Sequence, residues 1–347
     1  KMIKKKIFLG GLINVVNAQN INCFALAKYL DKTRFKVYTL EDKSKFSMSR
    51  ISGVTIFSCG KHMFRIQYIL GLLWGIFKSD IIYLPKHQTT PIFCLRICKL
   101  LGKKVFTTIE GNMCDKSKVN MIDNFGGKDK MLNHFSLISN IFGITKYIID
   151  NASCGVKLNN KALYLGVDLL NFPKNRNVKQ LNNIVFLGSL IIRKKVDEVL
   201  KLASYFQELN FHIVGDGPLK ENLMLSASSN VKFHSNIMPH DLNEFLLSMD
   251  LLFLPSRSEG FPKVILEAAA SGVPSLVYSD YGANEWINNY INGFVVKSYT
   301  EVVNLIQQLI KSPILLQNNS REALLLSKKF AWEKLIKEWE KNIFELA

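Results

Sequence analysis

Pro255-Ser256-Arg257-Ser258-Glu259-Gly260-Phe261-Pro262-Lys263-Val264-Ile265-Leu266-Glu267-Ala268-Ala269-Ala270-Ser271-Gly272-Val273-Pro274 follows the apolar run Leu251 to Leu254. Four apolar residues before a polar segment read as a buried strand. Ser256 to Gly260 reads as a loop. Pro262 suits the first turn of a helix, where its missing N–H has no partner to lose. Strong helix formers fill the stretch from Lys263 to Ala270, and Ser271-Gly272 ends the helix. Unpaired amides and the positive end of the helix dipole favour an anionic or hydroxyl-rich ligand at such a start. Glu259 lies just before it and Glu267 inside the helix, so two carboxylates flank an anion-friendly turn.

The same alternation runs outward through the chain. Residues 5–9 read as a strand, Gly10-Gly11 as a turn and 17–30 as a helix, the opening of a Rossmann-like half. Strands are predicted at 35–40, 54–57, 80–84 and 104–108, and helices at 64–77 and 92–101. Residues 112–133 are lysine-rich with Gly126-Gly127 and read as a long loop. A helix at 131–142 and a strand at 146–149 follow. Residues 173–183 read as a polar linker, after which the pattern restarts. Strands are predicted at 184–187, 211–214, 231–234, 251–254 and 273–277. Helices are predicted at 195–209, 240–248, 263–270, 300–311, 314–327 and 331–345, with a further start at Pro218. Strands alternating with helices predict an α/β protein with parallel sheets covered on both faces. Two loops at strand carboxyl ends carry polar groups: Lys86-His87-Gln88 and Glu110-Gly111-Asn112. His87 reads as an exposed loop histidine. Glu110 reads either as a ligand or base for a substrate hydroxyl or as a loop cap.

The chain has 347 residues, enough for two domains, and 48% hydrophobic residues with 21% charged, a globular composition. No apolar run reaches the roughly 18 residues of a membrane span. Lys4 to Lys6 lead directly into the strand-like Ile7 to Leu9, so no secretory leader is expected. The six cysteines include no Cys-x-x-Cys pair and are expected to be reduced thiols of a cytoplasmic protein. The net charge of +17 is segregated: residues 1–170 hold 26 Lys and Arg against 10 Asp and Glu, and 171–347 hold 19 against 18. Such a half faces nucleic acid, an anionic membrane or a phosphorylated substrate, unless a lysine-rich genome bias produced it. No aromatic-interleaved basic module argues for nucleic acid.

The opening stretch resembles the donor-site signature of retaining glycosyltransferases of family 4, which have the GT-B fold. The family pattern of Glu, Gly-Phe and a later Glu-Ala stands here as Glu259-Gly260-Phe261 with Glu267-Ala268. Val214-Gly215-Asp216-Gly217-Pro218, Gly282-Ala283-Asn284-Glu285 and Asn292-Gly293-Phe294 resemble further family segments in the family's order. Leu165-Gly166-Val167-Asp168 with Phe172 resembles the segment that closes its first domain. The resemblance is close over most of residues 160–298 and a matter of pattern over 1–159. It implies a GT-B fold, two Rossmann-like domains with parallel sheets facing a central cleft. Residues 1–170 would bind the acceptor and 171–330 the nucleotide-sugar donor, with the helix at 331–347 packing back on the first domain.

The resemblance also implies a site. Gly10 and Gly11 approach the donor phosphates, although Leu12-Ile13-Asn14 departs from the family's next residues. The family's Gly-Arg-Leu…Lys turn reads Gly188-Ser189-Leu190…Arg193-Lys194-Lys195 here. Ser189 stands at the arginine position, Lys194 matches the lysine, and Arg193 or Lys195 supplies a second cation for the diphosphate. Gly215 belongs to the next glycine turn; Ile237 and Met238 meet the nucleobase. Gly260, Phe261 and Pro262 line the donor turn. Glu267 binds ribose hydroxyls, and Glu259 orients the sugar. Glu110 replaces a family histidine near the reacting centre. The implied activity is retaining transfer of a sugar from a UDP- or GDP-sugar to a glycan hydroxyl. The expected acceptor is linked to a polyprenyl diphosphate at the inner face of the cell membrane, in bacterial surface polysaccharide synthesis. No Asp-x-Asp is present, so no metal and no cofactor are expected. The alternatives are another GT-B enzyme, such as a sugar-nucleotide epimerase or a phosphorylase, and a basic nucleic-acid binder.

Overall fold

The computed structural model describes residues 4–15, 17–45, 51–118, 120–152, 154–169, 178–235, 237 and 241–346. The chain divides into two compact units. One comprises Lys1–Leu165 with Trp332–Ala347, the other Gly166–Ala331.

The first unit holds β1 (Lys5–Leu12), β2 (Phe35–Asp42), β3 (Val54–Cys59), β4 (Ile81–Tyr83), β5 (Lys104–Ile109) and β6 (Asn140–Gly143). They form one parallel sheet in the order β3-β2-β1-β4-β5-β6. The second holds β7 (Asn183–Leu187), β8 (Asn210–Val214), β9 (Val231–His234), β10 (Leu251–Leu254), β11 (Ser275–Tyr278) and β12 (Phe294–Val296). Its parallel order is β12-β11-β10-β7-β8-β9. Counted from its own first strand, each sheet has the same order, 3-2-1-4-5-6. The order reverses between the first and fourth strands, β1 and β4 in one unit, β7 and β10 in the other. Loops leaving the carboxyl ends there diverge to opposite faces and open a crevice for ligands. β4, β10 and β11 are buried along their whole length, because helices cover both faces of a parallel sheet.

The helix Lys263–Ala270 and the strand Leu251–Leu254 have the predicted limits. Elsewhere packing overrides the sequence pattern. Ser136 and Leu137 form a turn, and Asn140–Gly143 are β6, paired with β5 from Phe106↔Asn140 to Ile109↔Gly143. The helix predicted at 131–142 therefore ends at Phe135. The stretch predicted as a strand at 146–149 is the helix Lys146–Asp150, started by the Thr145 hydroxyl, which accepts from Ile148 N. Residues 112–133 are not one long loop. Asn120 caps the short helix Met121–Asn124, and the helix Lys128–Phe135 follows Gly127. Pro218 precedes the helix Lys220–Leu225 by a turn. Gly10-Gly11 is not a turn, for β1 continues through it to Leu12 with an irregularity in its pairing to β2. A Cβ on Gly10 would lie 2.5 Å from Leu84, and one on Gly11 2.6 Å from Cys23 Sγ. A side chain at either position would displace a packed neighbour.

The expectation of six reduced thiols fails for two. Cys114 and Cys154 form a disulfide, with Cα atoms 5.6 Å apart. Adjacent β5 and β6 bring together the segments that follow them, which no spacing in the sequence announces. Cys23, Cys59, Cys94 and Cys98 are buried free thiols. Since disulfides persist in oxidising compartments, the cysteines do not argue for a reducing one.

The helix Trp332–Leu346 packs in the first unit. Trp332 stacks on Tyr29, and the Trp339 indole N–H donates to Tyr164 O at 2.9 Å. Glu340 accepts from Asp31 N at 2.7 Å and from Arg34 at 3.0 Å. Arg34 is partly exposed, so the aromatic contacts carry more of this docking than the ion pair.

In the second unit the turns after β7 and β8 touch backbone to backbone. Gly215 has φ +150°, and a Cβ there would lie 1.9 Å from Gly188 O. No side-chain movement relieves that clash. Gly215→Ala is expected to cost about 2 kcal/mol or more in urea unfolding. Gly111→Ala, whose Cβ meets nothing within 4 Å, is expected to stay within about 0.5 kcal/mol. Equal effects would remove the packing argument.

Candidate donor and acceptor sites

The order reversal between β7 and β10 sets two loops side by side. After β7, Ile192–Lys194 form a single 3-10 turn, and Lys195 takes a left-handed conformation at φ 53° before the helix Val196–Tyr205. The three cations therefore precede this helix rather than lying in its first turn, where Asp197 and Glu198 suit the dipole. Lys194 and Arg193 turn toward the loop after β10; Lys195 and Ser189 are exposed.

Lys194 Nζ lies 2.6 Å from Glu259 Oε1, and Arg193 lies 3.2 Å from the same oxygen. The Glu259 side chain is 8% exposed and that of Lys194 13%. Arg193 also donates to Ser258 O, and the buried Ser256 hydroxyl donates to Arg193 O at 3.4 Å. Burial raises the Glu259 carboxyl pKa, but Lys194 and Arg193 outweigh it and hold the group below the usual glutamate range. For Lys194 the balance is opposite. Burial lowers its pKa by more than Glu259 restores, and the like charge of Arg193 lowers it a little further. Two cations on one carboxylate leave an excess positive charge in a nearly dry place, which favours an added anion.

Phe261 packs its ring against Trp286 and Phe330 at centroid distances of 4.8 and 5.2 Å. Its side chain is thus an anchor that fixes the turn. Gly260 and Pro262 are buried beside it. Glu267 is half-buried, and burial raises its carboxyl pKa against a partial lowering by Lys263. Among the described residues no group donates a hydrogen bond to that carboxylate. The Tyr281 hydroxyl is buried without a hydrogen-bond partner among the described residues, and its pKa is raised by burial and then by the charge of Glu259. Ile237 is half-buried after β9, and Met238 lies outside the described residues.

In the first unit a polar cluster lies at the carboxyl ends of β1, β4 and β5. Asn22 Nδ2 donates to Glu110 Oε1 at 2.8 Å, and the Thr108 hydroxyl donates to it at 3.3 Å. Tyr83 OH lies 2.7 Å from that hydroxyl. Asn20 and Asn22 are fully buried, yet Asn20 Nδ2 and Asn22 Oδ1 have no partner among the described residues. Unpaired buried polar atoms are uncommon and call for a ligand or water. His87, read from sequence as exposed, is 7% exposed between His134 and Phe135. Its Nε2 lies 3.2 Å from Thr108 O. Burial and then the neighbouring His134 push its pKa down to about 4. The structure thus brings Glu259, Lys194 and Arg193 together in one unit and sets Glu110 with Asn22 in the other. Ser256, Arg257, Asn22 and Tyr281 were missed. A pair of asparagines in an otherwise apolar helical stretch was the one available signal for Asn22. Arg257 lies over the Tyr278 ring at 3.6 Å and pairs with Asp280 at 3.1 Å. Among the described residues no group of three or more His, Cys, Asp or Glu is placed to hold a metal ion.

Two six-stranded parallel sheets of one strand order, with a basic turn and a Glu-Gly-Phe-Pro turn at the reversal of the second, define a GT-B protein. The structure of Anabaena HepE in complex with UDP and glucose superposes with a TM-score of 0.76 over 99% of this chain and all of that one, at 14% identity. The family described as Glycosyl transferases group 1 matches residues 169–324, all of which lie in the second unit. An uncharacterized glycosyltransferase of Haemophilus influenzae is 32% identical over 179 residues, 48% of this chain and 51% of that protein. The UDP-Gal:alpha-D-GlcNAc-diphosphoundecaprenol alpha-1,3-galactosyltransferase of Escherichia coli is 29% identical over 167 residues, 42% and 43% of the two chains. The chain spans about half the length of the curated relatives it matches.

The depressed pKa of His87 has a consequence for stability. Its unfolded value is near 6.5, so between that value and about 4 the unfolded chain binds the extra proton. The stability His87 contributes is therefore full above pH 6.5 and lost as pH falls toward 4, by up to about 3 kcal/mol. Urea unfolding at pH 7 to 4.5 is expected to give a shallower acid loss for His87→Gln than for the wild type. Identical slopes would mean the ring titrates normally.

Proposed function

We propose that this protein is a retaining glycosyltransferase that moves a sugar from a nucleotide-sugar donor, UDP-linked in the first instance, to a hydroxyl of a glycan acceptor. The observation that carries the proposal is the Lys194–Glu259–Arg193 group, its Lys194 and Glu259 side chains nearly excluded from water, in the loops where the second sheet reverses. A leaving nucleoside diphosphate brings negative charge, and Lys194 and Arg193 are the cations placed to stabilise it. The absence of an Asp-x-Asp motif and the presence of these cations support transfer without a divalent metal. Glu267 suits the ribose hydroxyls, because a carboxylate accepts two hydrogen bonds side by side. Glu259, released in part from the cations by the diphosphate, orients the sugar. As the bond from the anomeric carbon to the diphosphate oxygen breaks, the acceptor oxygen bonds that carbon on the same face. The acceptor proton passes to the leaving phosphate. In the first unit Glu110, Asn22 and Asn20 supply acceptors and donors for the glycan hydroxyls. That HepE was solved with UDP and glucose, and that the E. coli relative is named for a UDP-sugar, supports a UDP donor.

The name of the same relative, with its diphosphoundecaprenol acceptor, supports an acceptor held at a membrane. No described helix is long and apolar enough to cross one. The first unit holds 29 Lys and Arg against 13 Asp and Glu, a net of +16, which leaves +1 for the second. A donor site needs only a few cations, so nucleotide binding does not account for the excess. An anionic inner membrane face does.

Glu267→Ala is expected to weaken UDP binding about tenfold or more in calorimetry. Glu259→Ala should leave UDP affinity within about threefold while transfer to a lipid-linked acceptor falls at least a hundredfold. Transfer should continue in EDTA. Equal loss of UDP affinity in both variants would reverse the two roles. Activity abolished by EDTA and restored by Mg²⁺ or Mn²⁺ would defeat metal independence. Turnover of the nucleotide sugar to its epimer without acceptor would favour an epimerase.

A further inference from the structure

A cavity of about 260 Å³ opens on the first unit, away from Glu110. Lys99, Lys103 and Lys104 line one side, and Ser136 and Ser139 lie on the other. Lys104 begins β5 and Glu110 follows its end, so cavity and candidate acceptor cluster lie at opposite ends of one strand, about 20 Å apart. The reaction proposed above has no use for this place. Lys103 lies 3.9 Å from Asp80, a loose pair. Lys99 and Lys104 make no ion pair among the described residues. Three lysines lining a space several times a water's share of the liquid suit one tetrahedral anion.

The rim identifies the source of that anion. Leu100, between Lys99 and Leu101, is 86% exposed, and Leu101 is 43% exposed. Phe93, also exposed, lies seven residues before Leu100 on the helix Ile92–Leu100 and shares its face. The helix Phe64–Lys78 packs beside it. Its exposed Ile66, Leu70 and Phe77 repeat at helical spacing. Lysines alone would take any phosphate, but leucines and phenylalanines in water gain nothing from a soluble one. A bilayer covers the apolar groups and presents phosphates at their level.

We propose that this cavity seats the phosphate of an anionic lipid, with Leu100 and Leu101 lodged among the neighbouring acyl chains. The site would fix which face of the first unit meets the membrane. The proposal rests on the membrane part of the reading above.

The test uses the full chain and vesicles of phosphatidylcholine with 0 or about 30% phosphatidylglycerol, a composition chosen because attraction follows surface potential. Lys99→Gln/Lys104→Gln is compared with Lys61→Gln/Arg65→Gln, which removes the same charge from outside the cavity. Diffuse attraction weakens both doubles alike. A seated phosphate weakens the cavity double at least tenfold more. Leu100→Ser, with an unchanged melting temperature, should also lose at least tenfold in vesicle affinity. Equal loss in the two doubles would overturn the cavity site and leave membrane binding standing. A wild type that ignores anionic vesicles at low salt would overturn both. Inorganic phosphate that raises the melting temperature of the wild type but not of the cavity double, with vesicle binding unaffected by those substitutions, would assign the cavity to free phosphate instead.

Discussion

Glu259 and Lys194 meet at 2.6 Å with both side chains nearly excluded from water. A buried charge pair is stable only when each partner keeps the other, so this contact constrains both loops. It requires β7 and β10 to be neighbours, which the order reversal of the second sheet provides. It requires the turn after β7 to close over three residues, which the left-handed Lys195 makes possible. It also requires the Glu-Gly-Phe-Pro turn to be held from beneath, which Phe261 does against Trp286 and Phe330. In the proposed reading the diphosphate completes what the protein leaves unbalanced, two cations on one carboxylate.

The two units repeat one strand order but differ in what they place at its reversal. The second offers charges with a local excess of cation. The first offers neutral amides, a carboxylate and a histidine kept uncharged by burial. Charge suits a nucleoside diphosphate, and neutral donors and acceptors suit sugar hydroxyls. That division fits a chemistry in which one partner leaves as an anion and the other arrives as an alcohol.

The helix Lys263–Ala270 was legible because local signals agree there: an apolar run, a proline, six good formers among eight residues and a Ser-Gly stop. The region from 112 to 150 was not. Its stretch from Ile138 to Ile144, apolar at 138, 141, 142 and 144, fits helix or strand equally by pattern, and pairing with β5 selects the strand. The Cys114–Cys154 bond, the burial of His87 and the Asn22 contact to Glu110 join segments 21 to 88 residues apart. Such contacts follow from sheet order, which no local window contains. The glycines were read for turns and phosphate approach, whereas at Gly10 and Gly11 packing against Leu84 and Cys23 is the physical requirement. In the loops after β7 and β10 the motif spacing favoured Lys194 over Lys195, and the two side chains differ in place: Lys194 faces Glu259, whereas Lys195 is exposed.

The central claim is that the Lys194–Glu259–Arg193 group seats the donor diphosphate. A crystal structure of the chain soaked with UDP tests it most directly. The account predicts phosphate oxygens within hydrogen-bond distance, about 2.7–3.2 Å, of Lys194 Nζ and the Arg193 guanidinium, with the ribose hydroxyls on Glu267. UDP bound elsewhere, with the contacts of Lys194 and Arg193 to Glu259 unchanged, would contradict it.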